Sequence, residues 1–132
     1  MANYVTPYSK QKDGNKNLSA NFKVKEFACK DGSDVIFISQ ELVNLLQDIR
    51  NHFGKPVNIN SGYRTPAYNK KVGGATYSQH LYGTAVDVYI NGVAPTEVAK
   101  YAEKQLGERG GVGVYSTFTH IDVREAKARW KG

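Results

Sequence analysis

SQHLYGTAVDVYI, residues 78–90, decides how the chain is read. Its second half alternates. Val86, Val88 and Ile90 point one way, and Ala85, Asp87 and Tyr89 the other, which is the two-residue period of a strand. The β-branched residues suit a half-buried pleated surface. The valine side fits a core, so Asp87 faces the opposite side, beside the small Ala85. The first half is a loop that carries His80 into this strand.

Downstream, GGVGVYSTFTHIDVR (residues 110–124) reads as two strands around a turn near Tyr115 to Thr117. In the second of them Phe118, His120, Asp122 and Arg124 share one face, and Thr119, Ile121 and Val123 the other. If the two motif strands are neighbours, His120 and Asp87 meet on one face of a sheet. Upstream, QELVNLLQDIRNHF (40–53) spaces Leu42, Leu45, Leu46, Ile49 and Phe53 at three- and four-residue steps, so it predicts a helix. Ser39 is its N-cap, Glu41 sits near the positive end of its dipole, and Gly54 and Pro56 stop it. His52, in the last turn, is expected to meet free carbonyls.

VNIN (57–60) reads as a short strand, and DVIFIS (34–39) as an apolar run ending at the helix start. In RTPAYNKKVGG, Thr65 and Pro66 start a short helix that the Gly73-Gly74 pair ends. PTEVAKYAEKQL (95–106) is a longer helix between Pro95 and Gly107. Helices and strands mix without a βαβ rhythm. The expected fold class is therefore α+β: a small, mostly antiparallel sheet with helices packed on one side. A chain of 132 residues favours one domain spanning 1–132. Within it, residues 1–20 are polar and are expected to wrap the surface, anchored by Phe22, Val24 and Phe27.

No apolar run is long enough to span a membrane. MANYVTPYSKQKDGNKN has no apolar core of a secretory signal, so synthesis in the cytoplasm without a signal peptide is expected. Cys29 is alone, which excludes an internal disulfide and a cysteine zinc cage. The net charge of +6 suits an anionic partner. The basic residues are scattered, with the densest clusters at NKK (69–71) and REAKARWK (124–131), and they form no nucleic-acid module. A nucleic-acid partner is not expected; tight, salt-sensitive DNA binding by the metal-free protein would reverse that.

Two histidines and a carboxylate form a ligand set that zinc uses in hydrolases, with one position left for water. Zinc there acidifies water, which makes a nucleophile available at neutral pH. Asp122, two residues beyond His120, is separated from it by about 6.5–7 Å along the strand. By that spacing a hydrogen bond between the two is not expected, and Asp122 suits a contact to water rather than to the metal.

SGYRTPAYN, SQHLYGTAVDV and GGVGVYSTFTHIDVR together resemble the zinc D-alanyl-D-alanine carboxypeptidase family, the LAS-type metallopeptidases. The wider group includes phage L-alanyl-D-glutamate endopeptidases and the hedgehog signalling domain. Ser78, His80, Gly83, Ala85 and Asp87 meet its Ser-x-His-x-x-Gly-x-Ala-x-Asp pattern in full, and His120 meets its C-terminal histidine. LSANFKVKEFACKDG also looks like the subfamily found in phage and prophage lysins. The resemblance implies a hedgehog/DD-peptidase-like fold and a zinc ion held by His80, Asp87 and His120. It implies that Arg64 stabilises an oxyanion or holds a substrate carbonyl, and that Ser78 lies at the site edge, in contact with substrate or bracing its loop.

Many members carry Glu or Asp three residues before the last histidine, or His two before it. Thr117 and Phe118 stand there instead, so Asp122 is the candidate general base, with an ion pair to Arg124 or Lys127, or orientation of a ligand histidine, as its other role. Tyr82 is taken as substrate-binding, and Tyr63, Tyr77, Tyr89 and Tyr115 as further candidates to line a groove. The expected activity is zinc-dependent cleavage of peptidoglycan stem peptides, as carboxypeptidase or endopeptidase. The expected protein is a monomer acting at the anionic cell wall, as a phage or prophage lysin. The alternative is a catalytically silent zinc module that binds wall or protein.

Overall fold

The computed structural model describes residues 4–132. An antiparallel ribbon comes first. Strand β1 (Val5–Ser9) pairs with β4 (Val35–Ser39), with Val5 opposite Ser39. Between them lie a single helical turn α1 (Lys10–Asp13), the short strands β2 (Asn17–Ser19) and β3 (Phe22–Lys23), and a 3₁₀ turn over Val24–Phe27. The segment expected to wrap the surface thus contributes a strand, and its first three residues lie outside the described ones. Phe22, Val24 and Phe27 are buried, as expected of anchors.

Helix α2 (Gln40–Phe53) follows β4 directly. The Ser39 side chain accepts from the Leu42 amide, and Gly54 closes the helix in the left-handed conformation at φ 64°. Leu42, Leu46 and Ile49 of the apolar stripe are buried, joined by Val43, while Leu45 and Phe53 are partly buried against the same core. His52 stacks on Tyr101, with ring centroids 3.8 Å apart and planes 12° from parallel. It is this flat aromatic neighbour that the ring meets in the last turn, where carbonyls were expected.

The main sheet has five strands in the order β5-β6-β8-β7-β9. These are β5 (Asn58–Ser61), β6 (Ala85–Tyr89), β7 (Gly111–Val114), β8 (Thr119–Asp122) and β9 (Ala128–Lys131). All pairings are antiparallel except β7 with β9, which is parallel. Helix α3 (Pro66–Lys71), capped by Thr65, and a second 3₁₀ turn over Gln79–Tyr82 lie between β5 and β6. Helix α4 (Pro95–Leu106) connects β6 to β7.

Val86, Val88, Ile121, Val123 and Val112 from the sheet join α2, α4 and the 3₁₀ anchor in one hydrophobic cluster. The apolar face of the sheet therefore lies against the helices, and the opposite face is left for polar residues. This is the α+β arrangement the patterning predicts, with β9 as an additional edge strand.

Candidate metal centre

Register sets the site. In the β6–β8 pairing Asp87 stands opposite His120, and Ala85 opposite Asp122. On the other side of β8, Gly113 of β7 faces His120 and Gly111 faces Asp122. Odd and even positions of these strands thus sort valines toward the helices and His120, Asp87 and Asp122 toward the other face.

The third side chain comes from the 3₁₀ turn. Ser78 caps that turn by accepting from the His80 amide at 3.2 Å. The His80 ring is buried, and its Nδ1 lies 2.8 Å from the Gly62 carbonyl oxygen. A carbonyl only accepts, so Nδ1 carries the proton and donates, and the Nε2 lone pair is left for a ligand. That Nε2 lies 3.3 Å from Asp87 Oδ1. His120 Nδ1 approaches the same oxygen at 3.0 Å.

Ligand atoms of His80, Asp87 and His120 all lie within 4.8 Å of one another. The three side chains are buried, and two neutral-capable imidazoles with one carboxylate is a donor set that fits zinc with a coordination position to spare. Burial pushes the Asp87 carboxyl up, but the His120 and His80 imidazoles beside it outweigh that and hold the group well below the usual carboxylate range. The oxygen is therefore ionised at neutral pH, the form a cation needs.

Asp122 sits behind His120. Its Oδ2 is 2.7 Å from His120 Nε2, so the hydrogen bond that strand spacing alone argued against is made. The two side chains lean together on the same face, and the imidazole spans the gap between backbone positions. Asp122 Oδ1 accepts from the Gly111 amide at 3.0 Å, the Arg124 amide at 3.1 Å and Arg124 Nε at 2.8 Å. Arg124 Nη2 reaches Oδ2 at 2.7 Å. Burial raises this carboxyl too, yet His120 and Arg124 hold it well below its ordinary range. An ionised Asp122 accepts a hydrogen bond from His120 Nε2–H and leaves Nδ1 facing Asp87 and the metal position.

The glycines of β7 make room for this. A Cβ on Gly111 would lie 2.2 Å from Asp122 Oδ2, and one on Gly113 would lie 2.4 Å from the Trp130 ring. Trp130, on β9, covers Gly113 and packs its ring 5.0 Å from that of His120. Gly113→Ala is therefore expected to displace Trp130 and to destabilise the fold by about 1–3 kcal/mol, the usual cost of forcing atoms into packed space. A lowered thermal midpoint with a shifted emission of Trp130, the single tryptophan, checks it.

A cleft of about 400 Å³ opens over the cluster. Arg64, Ser78, His80, Asp87, His120 and Trp130 are among its walls, with Tyr77, Tyr115, Phe118 and Arg124. Arg64 is held by Nε on Ser61 Oγ (3.2 Å) and Nη1 on Asn69 Oδ1 (3.1 Å), and its Nη2 lies 3.6 Å from Asp87 Oδ2. Of the proposed substrate contacts, Arg64 and Ser78 line the cleft, whereas Tyr82 does not. Tyr82 is 46% exposed at the end of the 3₁₀ turn. Sequence reasoning passed over Trp130, Gln79 and the Gly73–Ala75 loop as cleft walls. The Gly-x-Gly of β7 was the available signal, because paired gaps on one strand face call for something large to fill them.

The peptidase M15 family model matches residues 18–122, and the chain belongs to that family. It is similar to the peptidoglycan L,D-endopeptidase MepK of Escherichia coli K12, at 39% identity over 80 residues, covering 55% of this chain and 43% of MepK. It is also similar to the zinc D-Ala-D-Ala carboxypeptidase of Streptomyces albus G, at 46% identity over 44 residues, 33% of this chain and 17% of that protein. The chain spans less than half the length of each of these relatives. The family is the one the three motifs resemble.

Proposed function

We propose that the chain is a zinc-dependent peptidase that cleaves the stem peptides of peptidoglycan. The observation that carries this reading is the convergence of His80, Asp87 and His120 on one point in an open cleft. The names of the two relatives supply the substrate class. His80 Nε2, Asp87 and His120 Nδ1 would hold the ion. Zinc, when bound, supplies Lewis acidity that polarises an amide carbonyl and acidifies water at neutral pH.

Arg64 is a charged donor fixed in place before substrate arrives, which suits it to the oxygen of the attacked carbonyl. We assign Asp122 a positioning role in place of the general base expected from the sequence. It is fully buried and each of its oxygens is already engaged, so its proposed role is to hold His120 in the tautomer and orientation the metal needs. Ser78 braces the turn that carries His80. The +6 charge favours approach to an anionic wall, and Lys10, Lys25 and Lys30 line a surface cavity of about 620 Å³. Among the described residues no helix is long and apolar enough to cross a membrane. A monomer working as a phage or prophage lysin remains our placement for it.

One observation favours the silent module as a second reading. Among the described residues lining the cleft Asp87 is the single carboxylate, and Thr117 and Phe118 supply no proton acceptor. Mass spectrometry of digested peptidoglycan separates the readings. Loss of a terminal D-alanine identifies a carboxypeptidase, and free stem fragments an endopeptidase. An unchanged digest on every wall chemotype leaves the silent module standing.

A further inference from the structure

The cleft holds two arginines, and they differ in what they have left to offer. Arg64 spends Nε and Nη1 on Ser61 and Asn69, points Nη2 at Asp87, and its side chain is 16% exposed. Arg124, just past β8, grips Asp122 with Nε and Nη2, and its side chain is 31% exposed in the cleft wall. Its Nη1 has no partner among the described residues. The guanidinium carbon stands 5.5 Å from the centre of the Trp130 ring. Asp122 is in turn fixed by the Gly111 amide and by His120. One edge of the Arg124 fork is therefore locked, and the other is oriented and unused.

An immobilised guanidinium loses little further freedom on binding, and its paired N–H groups match a carboxylate. The flanking walls are aromatic: Trp130, and Tyr115 stacked on Phe118 with centroids 4.4 Å apart. Trp130 Nε1 donates to Tyr115 Oη at 2.9 Å, which ties these walls together. Asp87 is committed to the histidines and Asp122 to Arg124 and His120, so no carboxylate lining the cleft competes for that edge.

We propose that Arg124 is a specificity residue that binds a free carboxylate of the substrate peptide, on the side of His120 away from Arg64. This rests on the peptidase reading for its substrate. Asp122 and the His120 imidazole link Arg124 to the metal position, so the carboxylate would lie roughly one or two residues, at about 3.5 Å each, from the cleaved amide. It could be the chain terminus or an acidic side chain, and the test tells them apart.

Peptides with an uncleavable reduced bond at the scissile position are titrated into zinc-loaded protein, with the emission of Trp130 as the signal. One pair compares a terminal acid with its amide, and a second compares a glutamate side chain with glutamine. In one pair the acid is expected to bind at least about tenfold more tightly, the factor set by about 1.4 kcal/mol. Arg124→Gln, checked to hold one zinc per chain, is expected to erase that preference while leaving the affinity of the neutral peptide within a few-fold. The pair that shows the preference names the source of the carboxylate.

Equal binding of acid and neutral peptides in both pairs overturns the proposal, and that comparison needs no variant. So does a preference that survives Arg124→Gln, because the carboxylate is then held elsewhere. A preference that Arg124→Gln erases, in a protein that cleaves no wall peptide, sinks the peptidase reading and leaves the subsite standing.

Discussion

His80→Ala is expected to abolish cleavage of peptidoglycan peptides, with kcat/KM falling at least about 10³-fold, because the whole contribution of the metal goes with its ligand. His80 is buried and its ring is already fixed by the Gly62 carbonyl, so its Nε2 is aimed before any ion arrives. No other described histidine can replace it, since His52 is stacked against Tyr101 on α2. Stability gives a second readout. An ion that binds only the folded state raises stability by about 4 kcal/mol at a thousandfold excess over its dissociation constant. Zinc should therefore raise the thermal midpoint of the wild type and leave that of His80→Ala unmoved. A variant that cleaves within tenfold of wild type would mean the ion is held by other groups.

Asp122 carries the second large effect, and two substitutions separate its possible roles. Asp122→Ala leaves the Arg124 fork and the His120 Nε2 proton without their acceptor in a buried place. A loss of about 3–5 kcal/mol is expected from breaking such a pair on one side. Denaturant unfolding of the zinc-free protein measures it. Asp122→Asn keeps the shape but not the charge, and its expected cost is about 10–100-fold in zinc affinity, the usual effect of a partner that orients a metal-bound histidine. Saturating zinc should then restore most of kcat. If zinc affinity is unchanged and kcat is lost at saturation, Asp122 is the base after all.

What the sequence made legible was local or periodic. Ser39, the leucine stripe and Gly54 bound α2 because caps and helix period are properties of neighbouring residues. Strand alternation put Asp87 and His120 on one face, and the motif resemblance joined them to His80. What escaped depends on distant chain. Strand β1 is polar and exists because β4 offers it an edge. Strand β9 is four residues long and rich in charge, held by β7 alongside and by Trp130 seated over Gly113. REAKARWK looked like a basic cluster, yet its tryptophan is a wall of the site. The Asp122–His120 contact was misjudged because Cα spacing along a strand ignores how far an imidazole reaches.

Native mass spectrometry of the purified protein titrated with zinc tests the metal centre most directly, alongside a variant lacking the His80, Asp87 and His120 side chains. One zinc per chain in the wild type and none in the variant is the result this structure predicts. Failure of the wild type to retain an ion, or equal retention by the folded triple variant, would contradict it.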